Sequence, residues 1–127
     1  MRRIAWTCLA LAMMSASSFA REYTCRNEQL EITCTKGKCE RADSFTPASV
    51  SIDTRTRSMS VCLYATCFDG KASQLVVNRR YVIARGDRLK ANSGRGSEAG
   101  VMVIDLADKS GVLVTMSYRS PITCEVR

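Results

Sequence analysis

Between Ala48 and Ala65 apolar and polar side chains alternate in two runs separated by a short polar break. Ala48, Val50 and Ile52 alternate with Ser49, Ser51 and Asp53; beyond Thr54-Arg55-Thr56-Arg57, Met59, Val61, Leu63 and Ala65 alternate with Ser58, Ser60 and Cys62. A period of two with one apolar face is the mark of a half-buried strand. Folding about the centre of the break sets Ile52 near Met59 and Val50 near Val61, which predicts a hairpin. Asp69-Gly70 is the next turn signal, because glycine accepts positive φ without a side-chain clash, and it predicts a third strand, Ala72 to Val77, pairing back.

The same fabric extends in both directions. Tyr23 to Arg26 and Leu30 to Thr35 read as short strands, and Lys36-Gly37 turns the chain into Lys38 to Arg41; Ala42 to Pro47 connects to the central hairpin. After Val77, Asn78-Arg79-Arg80 predicts a turn into Tyr81 to Ala84, Gly86-Asp87 another turn, and Arg88 to Ala91 a short polar strand. Asn92 to Gly100 (NSGRGSEAG) is small, polar and glycine-rich and predicts a mobile loop. Val101 to Leu106, a turn at Asp108-Lys109-Ser110-Gly111, Val112 to Tyr118 and Ile122 to Val126 complete the chain. A weak echo links Val50-Ser51-Ile52-Asp53 and Arg57-Ser58 to Met102-Val103-Ile104-Asp105 and Lys109-Ser110 at an offset of 52 residues, which reads as two hairpins of similar design in preference to a true duplication. About eight to ten short strands without helical periodicity predict an all-β fold, a small antiparallel β-barrel or sandwich of about eight strands.

The first twenty residues differ in kind. Met1-Arg2-Arg3 is basic, Ile4 to Met14 is apolar, and Ser18-Phe19-Ala20 ends in small residues, which together predict a secretory signal peptide cut after Ala20 and a single β domain over residues 21–127. The apolar run is shorter than the ~20 residues needed to span a bilayer, so no transmembrane segment is expected in the mature chain. Removal of residues 1–20 takes Arg2 and Arg3 from the 19 basic side chains and none of the 12 acidic ones, leaving a net charge of +5, and takes Cys8 from the seven cysteines, leaving six. An even cysteine count in an exported chain of this size predicts a disulfide framework of Cys25, Cys34, Cys39, Cys62, Cys67 and Cys124. A hairpin about Lys36-Gly37 brings Cys34 to Cys39. Cys62 and Cys67, in one uninterrupted strand, would point to opposite faces; either the strand bends at Tyr64-Ala65-Thr66 and they pair locally, or each has another partner. Local pairing leaves Cys25 to meet Cys124.

Candidate chemistry is sparse. The chain has no histidine, the commonest general base and metal ligand. With all cysteines paired there is no thiolate, and no G-x-S-x-G or S-x-x-K motif supplies an activated serine. Asp105 with Asp108, or Asp53 with Asp69, are the remaining carboxylate pairs for hydrolysis of a glycan, although aspartates at turns ordinarily cap backbone amides. No enzyme activity, metal or cofactor is expected. The clearest charge feature is Arg79, Arg80, Arg85, Arg88, Lys90 and Arg95, set against the single acid Asp87 over seventeen positions. It suits an anionic glycan, a lipid headgroup or an acidic protein, or equally a solvated edge protected by charge. Nucleic acid is not an expected partner, since aromatics do not interleave with the bases. Arg85-Gly86-Asp87 matches an adhesion tripeptide, for which a tight turn is sufficient explanation.

The segment from Val61 to Gly70 (VCLYATCFDG), with Cys124-Glu125, resembles small exported proteobacterial β proteins carrying a C-x4-C, aromatic, acidic, glycine segment. That resemblance implies a bacterial periplasmic setting and supplies no activity. Tyr23-Thr24-Cys25 followed by Leu30-Glu31-Ile32 is similar to the start of the periplasmic C-type lysozyme inhibitors, small disulfide-closed β-barrels, but their inhibitory loop motifs have no counterpart here. The expectation is thus a periplasmic or secreted binding protein, with inhibition of a lysozyme or carboxylate-dependent hydrolysis as alternatives.

Overall fold

Alternation and turn residues divide the chain into eleven strands: β1 (Glu22–Asn27), β2 (Ile32–Thr35), β3 (Lys38–Arg41), β4 (Ala48–Asp53), β5 (Ser58–Leu63), β6 (Thr66–Lys71), β7 (Gln74–Val77), β8 (Tyr81–Ala91), β9 (Ser97–Asp105), β10 (Ser110–Thr115) and β11 (Tyr118–Val126). The structure is a computed structural model and describes residues 21–116 and 118–127; the expected signal peptide, its cleavage after Ala20 and Cys8 lie outside the described residues. Among the described residues there is no helix, and hence none long and apolar enough to cross a membrane.

Eight strands close an antiparallel barrel in the order β1-β4-β5-β6-β8-β9-β10-β11, with β11 pairing back to β1. The architecture is therefore the barrel and not the sandwich. The β2–β3 hairpin extends from β11, and β7 lies along the first half of β8. The wall fills its own interior. Ile52, Met59, Leu89, Met102, Ile104 and Leu113 are fully buried and come from five different strands. Each such side chain contributes about 1.5–3 kcal/mol by leaving water. Small residues make room for the large ones: a Cβ at Gly100 would lie 3.2 Å from Val61 Cγ2, and one at Gly86 only 2.7 Å from Leu89 Cδ2.

The central hairpin has the expected register, with Ile52 opposite Met59 and Val50 opposite Val61. Three disulfides join residues that stand directly across adjacent antiparallel strands: Cys25–Cys124, Cys34–Cys39 and Cys62–Cys67. The difficulty of placing Cys62 and Cys67 in one strand disappears because the chain reverses between them, at Tyr64-Ala65, where Tyr64 takes φ +57°.

Five expectations are corrected. Val112 to Tyr118 is not one strand: Val112 to Thr115 belongs to β10 and Tyr118 already to β11, the two pairing antiparallel, so the closing strand begins before Ile122. Asp69-Gly70 is not a turn; both lie within β6, and Gly70 is small because Leu89 packs where its Cβ would be, 3.1 Å away. The strand returning along β5 is accordingly β6, while β7 pairs with β8. Gly86-Asp87 is a bulge within one eleven-residue strand, with Asp87 and Arg88 together facing Ala99, since the register passes from Gly86–Gly100 to Leu89–Glu98. The glycine-rich stretch is a loop only as far as Gly96. Ser97 to Gly100 is strand, because its glycine serves packing against Val61 and not turning. The turn after Leu106 ends at Lys109, and Ser110-Gly111 already belongs to β10.

The sequence echo extends to a third strand. At an offset of 52, β5 falls on β10, and β6 falls on the start of β11. Arg57 N–H donates to Asp53 O at 2.8 Å as Lys109 N–H does to Asp105 O at 2.9 Å, with φ +62° and +58°. The cross-strand pairs Ile52–Met59 and Cys62–Cys67 correspond to Ile104–Gly111 and Val114–Arg119. Two three-strand units of one register thus occupy opposite sides of the barrel.

Candidate binding surface

The outer wall of β8 carries the basic run because its alternate positions are spent on the core. Val82, Ala84, Gly86, Leu89 and Ala91 point inward, leaving Tyr81, Ile83, Arg85, Arg88 and Lys90 on the outside with Asp87. The bulge adds one residue, so Asp87 and Arg88 are both exposed and the outward sequence resumes at Lys90. Arg79 and Arg80 occupy the turn before the strand and Arg95 the turn after it. Eleven residues at about 3.3 Å each separate those turns by about 36 Å. The six basic residues therefore line one wall from end to end and do not converge on a point.

Two of the six are committed to carboxylates. Arg80 Nε lies 3.0 Å from Asp105 Oδ1 and its Nη2 2.9 Å from Oδ2, while the guanidinium sits 5.6 Å from the Tyr81 ring centroid. That two-pronged bond raises the Arg80 value and, with the Ala107 N–H, holds the Asp105 carboxyl below its ordinary value. Arg85 Nε lies 2.6 Å from Asp87 Oδ1, and Ser73 Oγ donates to Asp87 Oδ2 at 2.7 Å. The Ser73 hydroxyl, then Arg85, lower the Asp87 value. Arg79, Arg88, Lys90 and Arg95 form no ion pair within 4.0 Å among the described residues. Across the strand from Lys90 stands Asp69.

The carboxylate pairs weighed for hydrolysis separate by role. Asp105 is held by Arg80, while Asp108 Oδ1 accepts from the Ser110 N–H and hydroxyl at 2.9 and 2.6 Å. Asp53 Oδ1 accepts from the Arg55 and Thr56 amides at 2.8 and 3.0 Å, and these bonds, Thr56 first, lower its value. Asp53 and Asp69 do share the lining of a shallow surface depression of about 350 Å³. Asp53 and Asp105, held low, are ionised acceptors, which suits a base or nucleophile and not a general acid. All six described cysteines are bonded, so none is a thiolate.

Two features were missed by sequence reasoning. Val76 on β7 and Tyr81 and Ile83 on β8 form an exposed apolar group beside the basic wall, while Val77, opposite the inward Val82, is exposed on the other face; the unbroken run Leu75-Val76-Val77, longer than a half-buried strand needs, was the available signal. At the other end of the barrel, Asn27, Glu31, Glu98, Thr115 and Ser120 are buried. Asn27 Nδ2 donates to Leu30 O at 2.7 Å, and Glu31 Oε2 accepts from Thr46 N–H at 2.9 Å, so these two pin the connections flanking the β2–β3 hairpin. Glu98 was legible as the polar member of the inward series Glu98, Gly100, Met102, Ile104.

Comparison with protein-family models, with curated proteins and with solved structures finds no match to this chain. Fold and surface alone define its class: an eight-stranded antiparallel barrel stapled by three disulfides, apolar within, with a mixed basic and apolar outer wall. The disulfides are consistent with an oxidising compartment.

Proposed function

We propose that the mature chain is a non-catalytic binding protein of the periplasm or the cell exterior that holds an anionic partner on the outer wall of β8. The observation carrying this reading is the division of β8: large apolar side chains occupy the interior, so contact falls to the outside, where Arg88 and Lys90 project from the bulged segment between Arg79 and Arg95. The net charge of +5 after loss of residues 1–20 works in the same sense, drawing anionic partners at low ionic strength.

The test is retention on an anionic matrix as salt is raised. Changing Arg79, Arg88 and Arg95 to Glu and Lys90 to Gln should abolish salt-sensitive retention, while Arg80→Gln with Arg85→Gln, already engaged by Asp105 and Asp87, should change it little. Equal retention of all three proteins would overturn the reading. The export half of the proposal is checked by mass: protein recovered from the exported fraction should begin at Arg21 and lack six hydrogens.

A further inference from the structure

We propose that β7 is a docking edge that takes up an extended, acidic polypeptide as an added strand, an inference that rests on the reading of the neighbouring wall as an anion-binding surface. β6 and β7 lie on one line along β8: Phe68 pairs with Ala91 and Asp69 with Lys90, and further along Gln74 pairs with Arg85 and Val77 with Val82 in the same register. The other side of that line is not uniformly covered. β5 pairs with β6 as far as Ser58–Lys71. The Arg57 side chain continues the cover, donating to the carbonyls of Ala72 and Ser73 at 3.1 Å each. From Gln74 to Val77, β8 is the only strand partner among the described residues.

The direction of the open backbone groups follows from the ladder. Asn78 N–H donates to Tyr81 O at 3.0 Å, and hydrogen-bonded positions alternate along an antiparallel pair. Val76 therefore faces β8, and Leu75 and Val77 turn their N–H and C=O groups to the open side. Soluble proteins usually blunt such edges with charge, proline or a bulge. This chain does so at its other edge, where β3 reads Lys-Cys-Glu-Arg, is exposed throughout and is tied by Cys34–Cys39. β7 reads Gln-Leu-Val-Val and has none of these devices; Val76 and Val77 are each half exposed. Val76 also stands opposite the 36% exposed Ile83, whose other neighbour is Val103, so an added strand would extend an existing apolar outer stripe.

The occupant is fixed by chemistry. Only a polypeptide supplies the alternating donors and acceptors that an open ladder needs, and the charge selects its sign. Arg79 follows β7 within two residues, and Arg57, which donates to the Ala72 and Ser73 carbonyls and is paired with no carboxylate among the described residues, stands just before it; Arg85, opposite Gln74, is already held by Asp87. A second copy would bring its own Arg79 and its own net +5 to the same edge, so a strand alternating apolar and acidic residues is the better complement.

The experiment measures amide hydrogen exchange of the mature, oxidised protein with a short synthetic peptide of alternating Glu and Val, beside a counterpart with Lys in place of Glu. The acidic peptide should slow exchange at Leu75 and Val77 by about tenfold or more and bind about tenfold more tightly than the basic one. Val77→Pro removes an outward N–H and leaves the ladder to β8 intact; it should weaken the peptide about tenfold, as should Val77→Glu, which retains the N–H and adds a charge of the peptide's own sign. Binding without protection of Leu75 and Val77, or undiminished binding by both variants, overturns strand addition. Protection that instead grows with protein concentration alone assigns the edge to a second copy, and protection by anionic vesicles but not peptide assigns it to a membrane; both overturn the proposal. The two readings fail separately: salt-sensitive retention lost on changing Arg79, Arg88, Lys90 and Arg95, with no protection of Leu75 and Val77 by the acidic peptide, leaves the basic wall standing without the edge, whereas neither retention nor peptide binding removes both.

Discussion

Cys25 lies directly across from Cys124 on the first and last strands of the barrel, with Cα atoms 4.0 Å apart, so their disulfide crosses the seam at which the cylinder closes. The residues joined are 99 apart in sequence, against 5 for Cys34–Cys39. Restriction of the unfolded chain grows with loop length. Replacing Cys25 and Cys124 together by Ala should cost about 4–5 kcal/mol, and replacing Cys34 and Cys39 about 2 kcal/mol. Urea unfolding of the two variants measures the difference, and equal losses would contradict the assignment of the seam bridge as the dominant staple.

The Arg80–Asp105 contact makes a statement about acid stability. A carboxyl whose folded value lies below its unfolded value of ~3.9 adds stability that is complete above that value and is lost as pH falls through the folded one. Asp105→Asn should therefore lower the Tm at pH 6, modestly because both partners are accessible to solvent. The gap from wild type should close as pH falls from 4 towards 2. A gap that persists at pH 2 would show that packing and not charge is responsible.

Gly111 and Gly70 test where backbone crowding is real. A Cβ at Gly111 would overlap the carbonyl oxygen of Val103, which belongs to the paired strand and has nowhere to go; one at Gly70 would meet only the movable end of Leu89. Gly111→Ala should cost more than about 3 kcal/mol or yield no folded protein, and Gly70→Ala less than about 1.5 kcal/mol. Thermal unfolding of the purified variants decides this, with equal effects arguing against the crowding at β10.

Tyr64 offers a gain. It holds φ +57° at the turn between β5 and β6 with 74% of its surface exposed, so its side chain contributes little packing. An L residue in that region carries roughly 1 kcal/mol of strain that glycine does not. Tyr64→Gly should raise stability by about 0.5–1 kcal/mol in denaturant titration; a decrease would mean that the exposed ring makes a contact worth more than the strain.

The fold was largely legible wherever polar and apolar residues alternate, because period two states both the strand and its buried face; Val50, Ile52, Met59 and Val61 all lie in the core as the pattern required. Legibility failed at glycine. Gly70, Gly86 and Gly100 carry the same local signal as a turn, yet each lies inside a strand to admit Leu89 or Val61, and a one-dimensional reading does not contain the neighbour that needs the space. The basic run was visible as composition, but its pairing was not: Arg80 and Asp105 are 25 residues apart and meet only because β8 and β9 are adjacent. β7 was recognised as strand and not as an edge, since openness is a property of the neighbours a strand lacks.

The 52-residue repeat poses a problem of self-recognition during folding. Two segments with the same strand lengths, turns and register can each, in outline, take the other's place, within one chain or between two chains meeting in the same compartment. The molecule carries labels against that exchange. Where the second unit has Gly111, the first has Met59, whose side chain the Val103 carbonyl would refuse. Where the first has the Cys62–Cys67 pair, the second has Val114 and Arg119, which cannot be oxidised to a bridge. One steric mismatch and one covalent mark thus give two units of the same strand plan separate addresses in the cylinder.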